Sequence, residues 1–250
     1  MFATSSTWSK SAICKAINLE ELYCIECYSV DYPRLEHPGP SLRLQRLVLD
    51  STLLPTTIPA PLLPELTHLA LINVEGRSAA SFTRDAWLAE FAPQLTSCAL
   101  TLVGSGWHSD LPIIRAMKKI RVLDLFIPNA VGLPVATILG PSPIDYAIGS
   151  TIEYLRIEMT SYRFNTFVTW AQENPPPNKL RYLGLRIQES VQEDARDNLL
   201  RVWARVKIEM VVVGRPEDRR REEGYEELFW DQVERGDFDR ITITTPTSQL

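Results

Sequence analysis

Leu66-Thr67-His68-Leu69-Ala70-Leu71 places three leucines at the first, fourth and sixth positions of a hexad. The last two lie two residues apart, the spacing that sets side chains on one face of a β-strand. The first, three residues earlier, turns in to cover the same core. With one apolar substitution allowed at any position, the pattern also occurs as Leu19-Leu22-Cys24, Leu44-Leu47-Leu49, Leu95-Cys98-Leu100 and Ile120-Leu123-Leu125. It continues as Ile152-Leu155-Ile157, Leu180-Leu183-Leu185 and Trp203-Val206-Ile208. Successive starts lie 22 to 32 residues apart. Each unit thus has room for one short strand and the long return that a parallel neighbour requires. No unit buries its leucines alone, so units must stack into one continuous core. The expected fold is α/β: a parallel, concave sheet backed by irregular convex helices and loops.

Composition narrows the class. The 250 residues are 45% hydrophobic and 23% charged, with a net charge of −5, ordinary values for a globular protein. Residues 214–250 hold 10 acidic residues against 6 Arg, and the rest is nearly neutral. That balance offers no basic footprint for nucleic acid. No run of 18 apolar residues predicts a membrane helix, and Met1 to Lys15 lack the apolar core of a secretory signal. Cys14, Cys24, Cys27 and Cys98 are expected as reduced thiols in an intracellular protein, cytoplasmic or nuclear.

Three regions are expected: a loose segment or partial cap over 1–18, the repeat array over 19–213, and a charged helix with a tail over 214–250. Prolines 55, 59, 61 and 64 predict an extended return, and Pro128 to Pro143 an irregular loop. Residues 82–91 read as helix, as does a short stretch from Asp110 to Lys118. A further helix over 163–173 is apolar at Phe164, Phe167, Val168 and Ala171, and must stop before Pro175. Ser190 and Glu193 form a capping box for another. Val206 to Val213 reads as a buried strand. Glu217 to Arg235 reads as a charged helix, with Tyr225, Leu228, Phe229 and Val233 on one side, capping the end of the sheet.

The period band is that of leucine-rich repeats. Together with the Pro-rich returns and the acidic, Trp-containing C-terminal helix, Leu66 to Leu71 and Lys179-Leu180-Arg181-Tyr182-Leu183-Gly184-Leu185 resemble the C-terminal region of fungal F-box proteins with leucine-rich-repeat-like solenoids. The likeness covers about residues 19–235. It implies a solenoid that holds a protein target for ubiquitin ligation. An F-box would dock the ligase adaptor, but no Leu-Pro-x-Glu followed by a helical apolar run precedes the first unit. The expectation is therefore a piece or truncated relative of a longer protein, with an adaptor contact only where a longer form supplies an F-box.

Three tempting sites have plainer readings. Cys24 and Cys27, with Cys14 and His37, make only one short-spaced ligand couple, whereas structural zinc usually takes two. No metal or cofactor is expected. Gly104-Ser105-Gly106-Trp107-His108-Ser109-Asp110 is not a nucleophile elbow. A Gly-rich turn before a capped helix accounts for it, so no catalytic residue is assigned. Arg219 to Arg221 sit among Glu217, Asp218, Glu222 and Glu223, the pattern of a solvated ion-paired helix.

The strand residues facing away from the leucines carry more information. Their centre is small and apolar, at Val48, Ala70 and Ala99. Their C-terminal end holds Tyr154, Arg156, Tyr182, Arg186, Arg205 and Lys207. Tyr and Arg are enriched at binding hot spots. These six are expected to form one exposed patch for a protein partner on a non-enzymatic interaction solenoid. The alternatives are a structural or truncated family member, or an α/β enzyme in which the repeats are coincidental.

Overall fold

In a computed structural model, the described residues are 2–4, 18–25, 43–50, 63–72, 88–101, 116–126, 151–187, 191–213 and 228–240. Among these residues nine strands form one sheet in sequence order, and every pair is parallel. They are β1 (Phe2–Thr4), β2 (Glu21–Ile25), β3 (Arg46–Asp50), β4 (His68–Ile72) and β5 (Ser97–Thr101). Then follow β6 (Val122–Phe126), β7 (Tyr154–Met159), β8 (Tyr182–Ile187) and β9 (Lys207–Val212). The chain is thus α/β with an open all-parallel sheet.

Register follows the hexads. Leu47, Leu69, Cys98, Leu123, Leu155 and Leu183 are in line across β3 to β8. All six have no exposure, and they share one core with the leading residues Leu66, Leu95, Ile120, Ile152 and Leu180. A second line links the strands just before they begin. The carbonyl of Thr67 accepts from the amides of Thr96 and Ser97, and that of Thr96 accepts from Arg121 and Val122. Arg121 and Glu153 repeat the arrangement toward β7 and β8. The backbone polar groups at each strand entrance are therefore satisfied by the next unit, as burial demands.

The returns pack on the leucine face. Residues 88–91 are helical, with Leu88 and Phe91 buried. Helix α1 (Ser161–Glu173) buries Phe164, Phe167, Val168 and Ala171 in the leucine core, as its spacing predicts. Past its end, the carbonyl of Asn174 accepts from the Trp203 indole at 3.0 Å, and Trp203 meets Phe167 edge-on at 5.3 Å. Helix α2 (Glu193–Val202) packs against α1 through its buried Leu199.

Several expectations need correction. Phe2–Thr4 form β1 and pair with Tyr23, Cys24 and Ile25. Ladder pairing uses backbone groups, so a polar sequence does not forbid it. Helix α2 starts at Glu193 with Gln192 as an extended N-cap that makes no side-chain capping bond. Ser190, the predicted cap, lies outside the described residues. The last strand is not buried: it pairs with β8, and Val211 and Val212 are 45% and 65% exposed. Its register also differs, by two residues. Ile208 and Met210 align with Leu183 and Leu185, which leaves Arg205 ahead of the strand.

The largest difference concerns the C-terminal segment. Helix α3 (Phe229–Glu234) and helix α4 (Asp237–Arg240) do not cap the end of the sheet. They lie on its opposite face, with α3 over β5 and β6. Gly236 has φ 73°, a left-handed turn that a side chain would strain. This turn brings Phe238 back beside Phe229, ring centres 5.3 Å apart. Residues 217–227 of the predicted helix lie outside the described residues, as do the predicted helical and loop positions 82–87, 110–115 and 128–149.

Candidate protein-binding face

Parallel register arranges the face opposite the leucines in rows. One runs Glu21, Arg46, His68, Ser97, Val122, Tyr154, Tyr182, Lys207. The next runs Tyr23, Val48, Ala70, Ala99, Asp124, Arg156, Gly184, Glu209. The small side chains at its centre leave space above the sheet. Leu228, Phe229, Trp230 and Phe238 join Tyr23, Val48, Ala70, Ala99, Val122, Tyr154 and Tyr182 there in a second buried cluster.

This cluster changes the fate of the predicted patch. Tyr154, Arg156 and Tyr182 are buried, contrary to the expected exposure. Tyr182 lies under Phe238 and Phe229, with ring centres 4.2 and 5.8 Å away, and its hydroxyl donates to Glu209 at 2.7 Å. Burial, then the Glu209 carboxylate, pushes its phenol pKa up. Arg156 donates two bonds to Asp124, at 2.9 and 2.6 Å, and its guanidinium sits 4.7 Å from the centre of the Phe229 ring. Burial opposes the Arg156 charge, but Asp124, with Tyr182 and Glu158, favours it, and the net pKa rises. Gly184 fits between them: an added Cβ would come within 3.0 Å of the Tyr182 ring and 3.3 Å of Arg156.

The other predicted residues lie apart. Arg186 is half-buried, one row further along, beside Glu158 and Val211. Lys207 donates to the carbonyl of Phe238 and so anchors the covering segment. Arg205 points elsewhere and donates to the carbonyl of Pro176. The six residues therefore do not make one exposed patch. Val48 and Ala70, in the small apolar centre, also lie under the C-terminal segment, and Ile72 packs against the same cluster.

A charged cluster absent from the sequence reading holds the segment's other end. Arg46 bonds Asp231 at 3.0 Å and also Glu234, and it lies 3.5 Å from Glu21. His68 bonds Glu234 at 2.9 Å and meets the Trp230 ring edge-on at 5.6 Å. Burial holds the His68 pKa down against the Glu234 carboxylate, and burial raises that of Asp231 against Arg46. The signal for this cluster was present: Arg46 and His68 are adjacent outward residues on neighbouring strands, and Asp231 and Glu234 are the acids of one helical turn.

The chemistry weighed from sequence is only partly described. Burial pushes the Cys98 thiol pKa up, so it is a poor nucleophile. Cys14, Cys27 and His37, Ser105, His108 and Asp110, and Arg219 to Arg221 all lie outside the described residues. Among the described residues, no helix is long and apolar enough to cross a membrane. No family model, no curated protein and no solved structure matches the chain.

Proposed function

We propose that the chain is a leucine-rich-repeat-like recognition module that holds a protein partner on the sheet face opposite its leucine core. One observation supports this reading: equivalent residues run in unbroken rows across consecutive parallel strands, and the middle row passes from Val48, Ala70 and Ala99 on β3 to β5 to Asp124, Arg156, Gly184 and Glu209 on β6 to β9. Stacked units present surfaces of this kind, and Arg186 lies on this face beside Val211, which is exposed. The resemblance to F-box proteins extends the proposal: the partner would be a target presented for ubiquitin transfer.

The test is capture of partners by the full chain, their identification, and measurement of affinity for the Arg186→Glu, Val211→Glu variant. These two residues are neighbours in register on the last two strands, where Val211 is exposed. Tyr182 is not a clean probe because its ring is packed inside. Affinity is expected to fall at least tenfold, the effect of about 1.4 kcal/mol at an interface. An unchanged affinity in a folded variant refutes the placement. Recovery of a ubiquitin-ligase adaptor with the target supports the ligase reading.

A further inference from the structure

We propose that the covered rows are a docking site for a protein segment of the same chemistry as Leu228–Phe238: a short helical turn with an aromatic pair, followed one and four residues later by carboxylates. The chain's own segment fills the site until such a partner replaces it. This rests on the protein-recognition reading above and names the partner's chemistry.

The seated segment shows what the face accepts. Phe229 stacks over Arg156 and against Tyr182, and Trp230 shares the same buried cluster with Val48, Ala70 and Ala99. Asp231 and Glu234 meet Arg46, while Glu234 also meets His68. Lys207 adds a contact to the carbonyl of Phe238. The segment's own amides bond locally: Asp231 to Leu228, Arg235 to Asp231, and Gly236 to Val233. It is thus seated as a helical ligand is seated in a groove, by anchors one helical turn apart.

The fit is incomplete, which makes replacement feasible. Trp230 is 1% exposed, and its Nε1 is a buried donor without a partner among the described residues. An unmade bond of this kind weakens binding. Asp231 and His68 are both desolvated against their charged forms. A foreign segment with an acceptor near its indole, or with a Phe in place of Trp, would avoid the first deficit. Fourteen residues, 214–227, tether the segment to β9. Being part of the same chain, the segment binds in cis, so weak contacts suffice to hold it. A partner must therefore bind against an occupied state.

The probe is a fluorescent peptide of residues 226–240, titrated by anisotropy into the full chain. Wild type is compared with the Asp231→Lys, Glu234→Lys variant, which reverses both acidic anchors and leaves the aromatic contacts, and with Phe229→Ala. Circular dichroism and a cooperative urea transition establish that each is folded. The weakened chains are expected to bind the peptide at least tenfold more tightly than wild type. Adding Arg46→Glu to the Lys variant restores a charge match in cis and abolishes peptide binding. Equal binding by wild type and both folded variants overturns the proposal, as does no binding by either variant, which makes the segment permanent core. A wild-type dimer that dissociates in the Lys variant also overturns it, in favour of exchange between copies. If the peptide fails while a captured partner still depends on Arg186 and Val211, the recognition reading survives alone.

Discussion

Breaking the Asp124–Arg156 pair should be far more damaging than removing it whole. The pair is bidentate at 2.9 and 2.6 Å, and its side chains are only 3% and 9% exposed. At an effective dielectric near 20, unit charges about 4 Å apart attract by about 4 kcal/mol. Loss of one partner leaves the other charged and buried, at roughly 3–5 kcal/mol. Asp124→Asn should fall near the lower figure, because the Phe229 ring face 4.7 Å away still favours the Arg156 cation. Arg156→Met should fall near the upper one, because it strips the carboxylate of its bidentate donor. The double variant Asp124→Leu, Arg156→Met should lie within about 1 kcal/mol of wild type, since apolar replacement of a buried pair is often neutral or stabilising. Urea unfolding followed by tryptophan fluorescence gives the four free energies of the cycle. Single changes below about 1 kcal/mol, adding without coupling, would mean that water reaches the pair and that the segment does not cover this row.

Leu123→Ala should destabilise by about 2–5 kcal/mol, because Leu123 has no exposure and is flanked in register by Cys98 and Leu155, which limits collapse. A loss under 1 kcal/mol in the same unfolding assay would contradict a close-packed leucine face. Gly184→Ala should cost about 1–3 kcal/mol by overpacking, because Tyr182 is pinned under two Phe rings and has no room to yield; a stabilised variant would show that the ring moves. His68 should tilt stability with pH. Burial lowers its folded pKa, so below about pH 6.5 the unfolded chain takes up a proton that the folded chain resists. Stability should therefore fall as pH drops from 6.5 toward the lower folded pKa, by at most about 1.4 kcal/mol per pH unit for this one group. Glu21, Arg46, Asp231 and Glu234 face it and remain in His68→Gln, so the difference between the two proteins isolates the histidine; parallel pH profiles would dismiss the effect.

What the sequence disclosed and what it hid follow from the range of the interactions. Strands β3 to β8 begin where the hexads place them because a strand's period is written in adjacent residues, and each unit repeats it. The Asp124–Arg156 pair had a cue that the exposed-patch reading of Arg156 passed over, since both are middle outward residues of neighbouring hexads. Strand β9 slipped because Trp203 and Val206 complete a hexad in sequence while the register puts Ile208 opposite Leu183. The cover over the opposite face was not legible in that way. The apolar side of 228–238 says that it must be buried somewhere, and nothing local says against what. Tyr and Arg composition likewise fits an exposed hot spot or an internal contact equally well. Yet a cue lay in the stripe itself. Val48, Ala70 and Ala99 bring too little side chain to shield a sheet alone, and a row that narrows to Ala and Gly on either side of a paired Asp and Arg has the shape of a seat. Small residues in the middle, Arg46 and His68 at one rim and an aromatic-acidic turn further along the chain are complementary, and that complementarity is the same whether the turn comes from this chain or from a partner.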